Sequence, residues 1–420
     1  MLNKKVLVKR VPGKIIDDEL TTGKMNRNIP VIYGLAFFHS FLVIVPVIVP
    51  FFMSKGLSLS EIFYLQAIFA TTIVLLEAPS GYVADLFGRK RALLAGAVAH
   101  GLGYLLLNFT EDFVGLVIFE ITVGIAASLL SGADLAILYD TQKALEDDDN
   151  SEHSNVIANL GFFKSGAEAL GALLGGFLAL LSFDLMVWVQ AVAAWMCLLL
   201  ALLVYEPPYR QGLDPARRVK LLDILRHLVM QDAILRQIVI AIPLYGLASF
   251  HVVWLVQPYW QDMGLSLSLF GLLWFAQSLM VAVANRFGFN LERRFGAPAT
   301  LAVIGVLPVV GHLGMAWLPG WVGIAAGMLI FVGRGLTQVI LVNALNRRVP
   351  GEFRATANSF VSFLFRLAFI TTGPLVGYLA ESHGLEATLT MLAAGFVLVF
   401  GLVMWPLIQL VRSIKQRAPA

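Results

Sequence analysis

The chain has 420 residues, of which 58% are apolar and 14% charged. Soluble domains carry about a quarter charged residues, so the deficit points to lipid as solvent and leaves little length for a soluble domain. The net charge of +3 identifies no partner until the charges are placed. One cysteine, Cys197, sits inside an apolar run and excludes a disulfide framework or a cysteine metal site.

In chain order, residues 1–28 are basic (Lys4, Lys5, Lys9, Arg10, Lys14, Lys24, Arg27) but lack the apolar core of a cleaved signal. They read as a cytoplasmic tail that helps set topology. Apolar runs follow near 29–53, 60–84, 91–108, 113–140, 155–181 and 184–205. A second set falls near 235–260, 267–290, 298–318, 321–346, 354–381 and 385–411. Each is long enough for a spanning helix of roughly 20 residues. The expectation is an all-α integral membrane protein with twelve transmembrane helices, divided into bundles at 29–205 and 234–411, with a short cytoplasmic tail at 412–420. Between the bundles, 206–233 holds Pro207, Pro208 and Pro215, with Val219, Leu221, Leu222, Leu225, Leu228 and Val229 interleaved with Arg217, Arg218, Lys220 and Arg226. That pattern reads as an amphipathic basic helix on the membrane surface.

Orientation follows from Lys and Arg. With the N-terminus inside, Lys55 is the single basic residue of the outer loops, and Lys164, Arg334 and Arg366 lie deep in spans. The opposite orientation inverts the bias, so both termini are expected to be cytoplasmic. The halves also look like weak copies. Span 5 ends GALLGGFLA and span 11 ends GPLVGYLA; LFGRK follows span 2 and RRFG follows span 8. Such similarity suggests a duplicated architecture with a pseudo-two-fold between the halves.

Between spans 2 and 3 the sequence reads EAPSGYVADLFGRKR, Glu77 to Arg91. This resembles the cytoplasmic signature of the major facilitator superfamily, G-x-x-x-D-x-x-G-R-K/R, with Gly81, Asp85, Gly88, Arg89 and Lys90 on its positions. The resemblance covers the whole membrane part and implies the two-bundle fold. It also implies that Asp85 meets the N-terminus of span 11 near Arg354, that Arg89 pairs with Asp140, and that the motif is a cytoplasmic gate. Gly81 and Gly88 would allow a turn and close helix approach. Glu77, just before the motif, is expected to serve the same gate. Gly171-Ala172-Leu173-Leu174-Gly175-Gly176 resembles the antiporter signature G-P-x-x-G-G with Ala in place of Pro. Close packing of small residues explains it equally. Glu120 stands where drug–proton antiporters carry the arginine of an R-x-x-x-G pattern ending here at Gly124.

An ionisable group within a span costs at least about 2–3 kcal/mol on insertion scales, so each needs a reason. Spans 4 and 5 carry Glu120, Asp134, Lys164 and Glu168; spans 10 and 11 carry Arg334 and Arg366; spans 1 and 7 carry His39 and His251. In the family's fold these spans surround a central cavity, whereas spans 3, 6, 9 and 12 stand outside and hold only His100 and His312. The distribution therefore supports a polar cavity. Lys164 and Glu168, four apart, can pair within one helix. His251, Trp254 and Pro258 share a face, with Gln257 beside it. The substrate-cavity candidates are His39, Lys164, His251, Trp254, Gln257, Arg334 and Arg366. The two arginines either pair across the bundle or meet an anionic solute.

The leading expectation is secondary transport by alternating access, coupled to protons, in a bacterial inner membrane. Coupling needs a carboxylate that exchanges a proton inside the membrane; Glu168 is the first candidate, followed by Asp134 and Glu120. Export of a small amphipathic molecule or metabolite rests on the antiporter-like pattern, and uptake of an organic anion is the alternative. No phosphate-binding loop, nucleophile–histidine arrangement or metal-ligand cluster occurs in the sequence, so an enzyme, a cofactor and a metal are not expected. A non-transporting sensor is the remote alternative. The expected partners are the solute, protons and the bilayer, with no nucleic acid, and the chain is expected to act as a monomer.

Overall fold

The computed structural model describes residues 18–145, 153–207, 232–350 and 353–417, and every regular element among them is a helix. Helix α1 comprises Asp18–Ser40, a 3₁₀ turn at Val45–Val47 and Ile48–Ser54. It is followed by α2 (Leu59–Phe87), α3 (Arg89–Leu106), α4 (Phe113–Leu145), α5 (His153–Leu181) and α6 (Phe183–Leu203). The second half holds α7 (Ala233–Asp262), α8 (Leu267–Phe295), α9 (Ala297–Trp317) and α10 (Gly320–Leu336, a π turn at Thr337–Leu341, then Val342–Arg348). The run Arg354–Val399 bends at Gly384, with φ 80° and ψ 169°, which separates α11 from α12. Helix α12 continues through Phe400–Met404 and Trp405–Arg417.

These are the twelve expected crossings, with boundaries within a few residues except at α1, which begins already at Asp18. Helix α3 is the shortest regular crossing of the first bundle, 18 residues long, and begins with Arg89, Lys90 and Arg91. At 1.5 Å per residue it still reaches about 27 Å. Most of the expected linker, 206–233, lies outside the described residues.

The duplication is visible in the turns. Gly56-Leu57-Ser58-Leu59-Ser60 before α2 recurs identically as Gly264-Leu265-Ser266-Leu267-Ser268 before α8. Both glycines take positive φ, 86° and 72°, and so do Gly88 and Gly296, at 100° and 83°, in the turns that follow the same helices. A left-handed residue at each place lets one antiparallel helix follow another without a long loop. The sequence similarity between LFGRK and RRFG therefore marks equivalent corners.

An even number of crossings leaves both ends on one side, here called the terminal face, which also holds the Gly88 and Gly296 turns. The bundles α1–α6 and α7–α12 meet along seams near the opposite face. A Cβ on Gly176 of α5 would lie 2.9 Å from the Gly271 nitrogen of α8, and one on Gly377 of α11 would lie 2.8 Å from Phe63 of α2. Small residues at such points let backbones approach in lipid. Nearby, the Ser60 amide donates to Glu381 Oε2 at 3.2 Å. Of the glycines in the two repeats, Gly176 and Gly377 are thus seam contacts, whereas Gly171 and Gly175 pack against the break of α1 at Leu42 and Val43.

Helix α1 breaks where Pro46 and Pro50 withhold backbone donors. Freed polar groups in hydrocarbon must be met internally, and two glutamines with no exposed surface meet them. Gln190 of α6 accepts from the Val43 amide at 2.7 Å. Gln257 of α7 accepts from the Val49 amide at 3.0 Å and donates to the Val45 carbonyl at 3.0 Å, crossing between bundles. Large apolar side chains left exposed, such as Leu75, Phe109, Val114, Phe177 and Val192, cover the outer faces of the helices, as lipid contact requires.

Candidate functional site

A central cavity of about 470 Å³ lies between the bundles, below the seam of the opposite face. From the first bundle it is lined by His39 and Ser40 (α1), Gln66 and Phe69 (α2), His100 and Tyr104 (α3), Phe119, Glu120 and Val123 (α4) and Glu168 (α5). The second bundle supplies Phe250 and Trp254 (α7), Trp274, Gln277 and Ser278 (α8), and Phe331 and Arg334 (α10). Superposing the two GLSLS segments by sequence sets Gln66 over Trp274 and Phe69 over Gln277. The same register sets Leu42 over Phe250 and Val45 over Val253, and all eight positions line the cavity. The duplication therefore builds the two walls from equivalent positions and gives them different chemistry.

The first wall carries the acids. Glu120 is 3% exposed and accepts from Gln66 Nε2 at 2.8 Å. Beside it runs a ladder of rings, His39 to His100 at 5.0 Å between centroids, His100 to Tyr104 at 5.0 Å, and Tyr104 to Phe119 at 5.6 Å. Glu168 opens to the cavity and makes no hydrogen bond or ion pair among the described residues. The second wall is aromatic with one cation. Arg334 also opens to the cavity without a hydrogen bond or ion pair among the described residues. Glu168 lines the same cavity from the other wall. Arg334 closes the last regular turn before the π turn of α10. Such turns re-aim neighbouring side chains and are frequent at functional sites.

Five expected site residues thus meet in one cavity: His39, Glu120, Glu168, Trp254 and Arg334. Others belong elsewhere. Lys164 does not pair with Glu168 along its own helix; its Nζ lies 2.9 Å from Asp134 Oδ2 on α4. Asp134 is only 3% exposed, and a buried carboxylate holds a reaching cation far more firmly than an i,i+4 surface pair does. His251 does not line the cavity. It shares a 3.0 Å hydrogen bond with Thr372 Oγ1 and packs on Phe369. Gln257 is the backbone bridge at the break in α1. Arg366 pairs with Glu77 Oε2 at 2.7 Å, which removes Arg366 from the cavity and ties α2 to α11 across the bundles.

Around the signature, Arg89 pairs with Asp140 and donates to the Ala136 carbonyl at 2.9 Å. Gly88 takes φ 100° at the corner. A Cβ on Gly81 would meet nothing within 4 Å, so close helix approach does not account for it here. The side chain of Asp85 lies outside the described residues. Glu206, after α6, accepts from the Arg89 and Lys90 amides at 2.8 and 2.7 Å. It caps α3 with a charge that suits the positive end of the helix.

Sequence reasoning missed His100, which it placed on an outer span, along with Gln66, Gln277 and, apart from Trp254, the aromatic wall of Phe250, Trp274 and Phe331. The glutamines were findable as rare amides inside apolar runs. The aromatics were not, because Phe and Trp are as common on lipid faces as in cavities.

Two six-helix bundles around a central cavity lined by apolar, aromatic and ionisable side chains define a membrane carrier. The chain belongs to the Major Facilitator Superfamily, whose family model matches residues 31–368. It is 26% identical over 383 residues to an uncharacterized MFS-type transporter of Salmonella typhimurium, covering 86% of this chain and 91% of the relative. It is 30% identical over 324 residues to an uncharacterized MFS-type transporter of Burkholderia pseudomallei, with 73% of each covered. The quinolone resistance protein NorA of Staphylococcus aureus matches at 22% over 209 residues, 47% of this chain and 51% of NorA. A solved structure of the nucleoside transporter NupG superposes with a TM-score of 0.75 at 11% identity, covering 92% of this chain and 99% of NupG. The protein is a multi-pass membrane transporter and not an enzyme.

Proposed function

We propose that the protein is a proton-coupled secondary transporter that moves a small amphipathic solute by alternating access through the central cavity. One observation carries this reading: Glu168 and Arg334, from opposite bundles, face one cavity unpaired while a seam closes the face opposite the termini. In this reading the termini are cytoplasmic, as the basic residues favour, and the cavity opens inward. The solute then leaves or enters the cavity on the cytoplasmic side, and Glu168 exchanges its proton there. Glu120, held by Gln66, and Asp134, held by Lys164, are already engaged and rank behind it.

Export is the first reading of direction and is supported by the similarity to NorA. The second reading is proton-coupled uptake of an organic anion, which the unpaired Arg334 favours. The test is purified protein in liposomes with an imposed pH gradient and a panel of labelled aromatic cations, anions and neutral solutes. Uphill movement of at least one solute that collapses with a protonophore is expected. Equal downhill flux with and without the gradient would contradict proton coupling.

A further inference from the structure

The cavity's two unpaired charges constrain what the solute can be. Arg334 cannot lose its charge in a protein. In the open state water fills its coordination. When the bundles rock and the cavity occludes, water leaves and a bare guanidinium inside the membrane is costly. A counter-charge must therefore be present in every occluded form. The residue positioned to supply it is Glu168, which lines the same cavity from the other wall.

The geometry points to a partner exchange at Arg334: in the empty carrier the Glu168 carboxylate closes onto it, and in the loaded carrier the carboxylate of an aromatic acid takes that place while Glu168 holds a proton. The rings of Phe250, Trp254, Trp274 and Phe331 on the same wall supply faces for the aromatic part. A planar fork of N–H donors matches a carboxylate in two parallel hydrogen bonds. This inference rests on the transport reading and develops its second direction. One solute anion and one proton then travel together, the proton moving from water on the open face to a Glu168 carboxylate oxygen. The occluded site keeps a single balanced charge pair in both halves of the cycle.

Other titratable groups do not supply the exchange. On its own helix Lys164 is held by Asp134. From α1 His39 stacks toward His100 of α3, and from α4 Glu120 is bonded to Gln66. From α8 the cavity receives the uncharged Trp274, Gln277 and Ser278, and α6 contributes none of the lining residues.

The test uses the full chain in detergent or liposomes and three probes of one shape: 1-naphthoate, 1-naphthamide and 1-naphthylmethylammonium. Equilibrium binding is read between about pH 5 and about pH 8, where the naphthoate stays ionised. The wild type is expected to bind naphthoate about tenfold or more tightly than naphthamide at the acid end, with the advantage shrinking as pH rises and the ammonium probe weakest. Glu168→Gln should keep the preference and lose its pH dependence. Arg334→Gln should abolish the preference, and Arg334→Lys should restore part of it. Retained preference in Arg334→Gln, retained pH dependence in Glu168→Gln, or tighter binding of the ammonium would overturn the proposal. If Arg334→Gln does not fold, the pH dependence in wild type and Glu168→Gln decides alone. Gradient-driven transport of some other solute without any naphthoate preference would sink this inference and leave the transport reading standing. The predicted naphthoate binding without gradient-driven flux of any solute would do the reverse.

Discussion

Two pairs of opposite charge span the bundles, and they are in opposite conditions. Glu77 and Arg366, on α2 and α11, are joined at 2.7 Å across the bundles, on the terminal-face side of the Phe63–Gly377 contact. Glu168 and Arg334, on α5 and α10, line one cavity and make no hydrogen bond or ion pair among the described residues. Both pairs put charge inside the membrane, where an unpaired ion is expensive. The made pair helps hold the present state; the open pair awaits another one. A carrier needs both kinds, because a molecule with every inter-bundle pair closed would have no reason to move.

The largest effect should come from blocking the seam. Gly176→Leu forces a side chain into the Gly271 backbone, where even a Cβ would sit 2.9 Å from the nitrogen. Overpacking costs about 1–3 kcal/mol, enough to shift the balance between states by about fivefold to about 150-fold. Transport should fall accordingly, and cysteine labelling of the opposite face should rise while the protein stays folded. Unchanged labelling would mean that the α5–α8 contact does not govern closure.

A smaller effect is expected from Glu77→Gln. The pair is partly exposed, at 40% and 24% of side-chain surface, so solvent screening limits its worth to about 1 kcal/mol. Transport should change by about fivefold with solute affinity little altered. The exchanged double variant Glu77→Arg with Arg366→Glu should recover most of the loss. Failure of the exchange would show that the residues matter separately.

The smallest effect is predicted for Asp140→Asn. Its pair with Arg89 lies within one bundle, and Arg89 keeps the Ala136 carbonyl at 2.9 Å. A change of less than about threefold in transport is expected, within the range of a partly exposed pair. A larger loss than that of Glu77→Gln would move the gate to the signature at the terminal face.

Much of this was legible beforehand. Long apolar runs, the side bias of Lys and Arg, and the signature from Gly81 to Lys90 specify twelve spans and their family without any contact being known. Residue types forbidden in lipid flagged Glu120, Glu168 and Arg334 as cavity groups. What sequence could not supply was the partner of each charge. Lys164 reads as the partner of Glu168 because spacing within one helix is visible, whereas its bond to Asp134 crosses helices. Arg366 reads as a substrate group because Glu77 is remote in the chain. Gln257 reads as a binding residue because its partners Val45 and Val49, at the break in α1, are remote in the chain. The identical GLSLS segments were present all along and set the register of the two walls.

The central claim is that the bundles rock, exchanging the closed seam for a closed cavity. Its most direct test is a pair of spin-label distances in liposomes, in a background with Cys197 replaced. One pair is placed at Leu181 and Ser266, at the opposite-face ends of α5 and α8, and the other at Asn159 and Phe295, near their terminal-face ends; all four side chains are exposed. On acidification with naphthoate present, the first distance should lengthen and the second shorten together. Two distances that stay fixed, or that move in the same sense, would contradict the account.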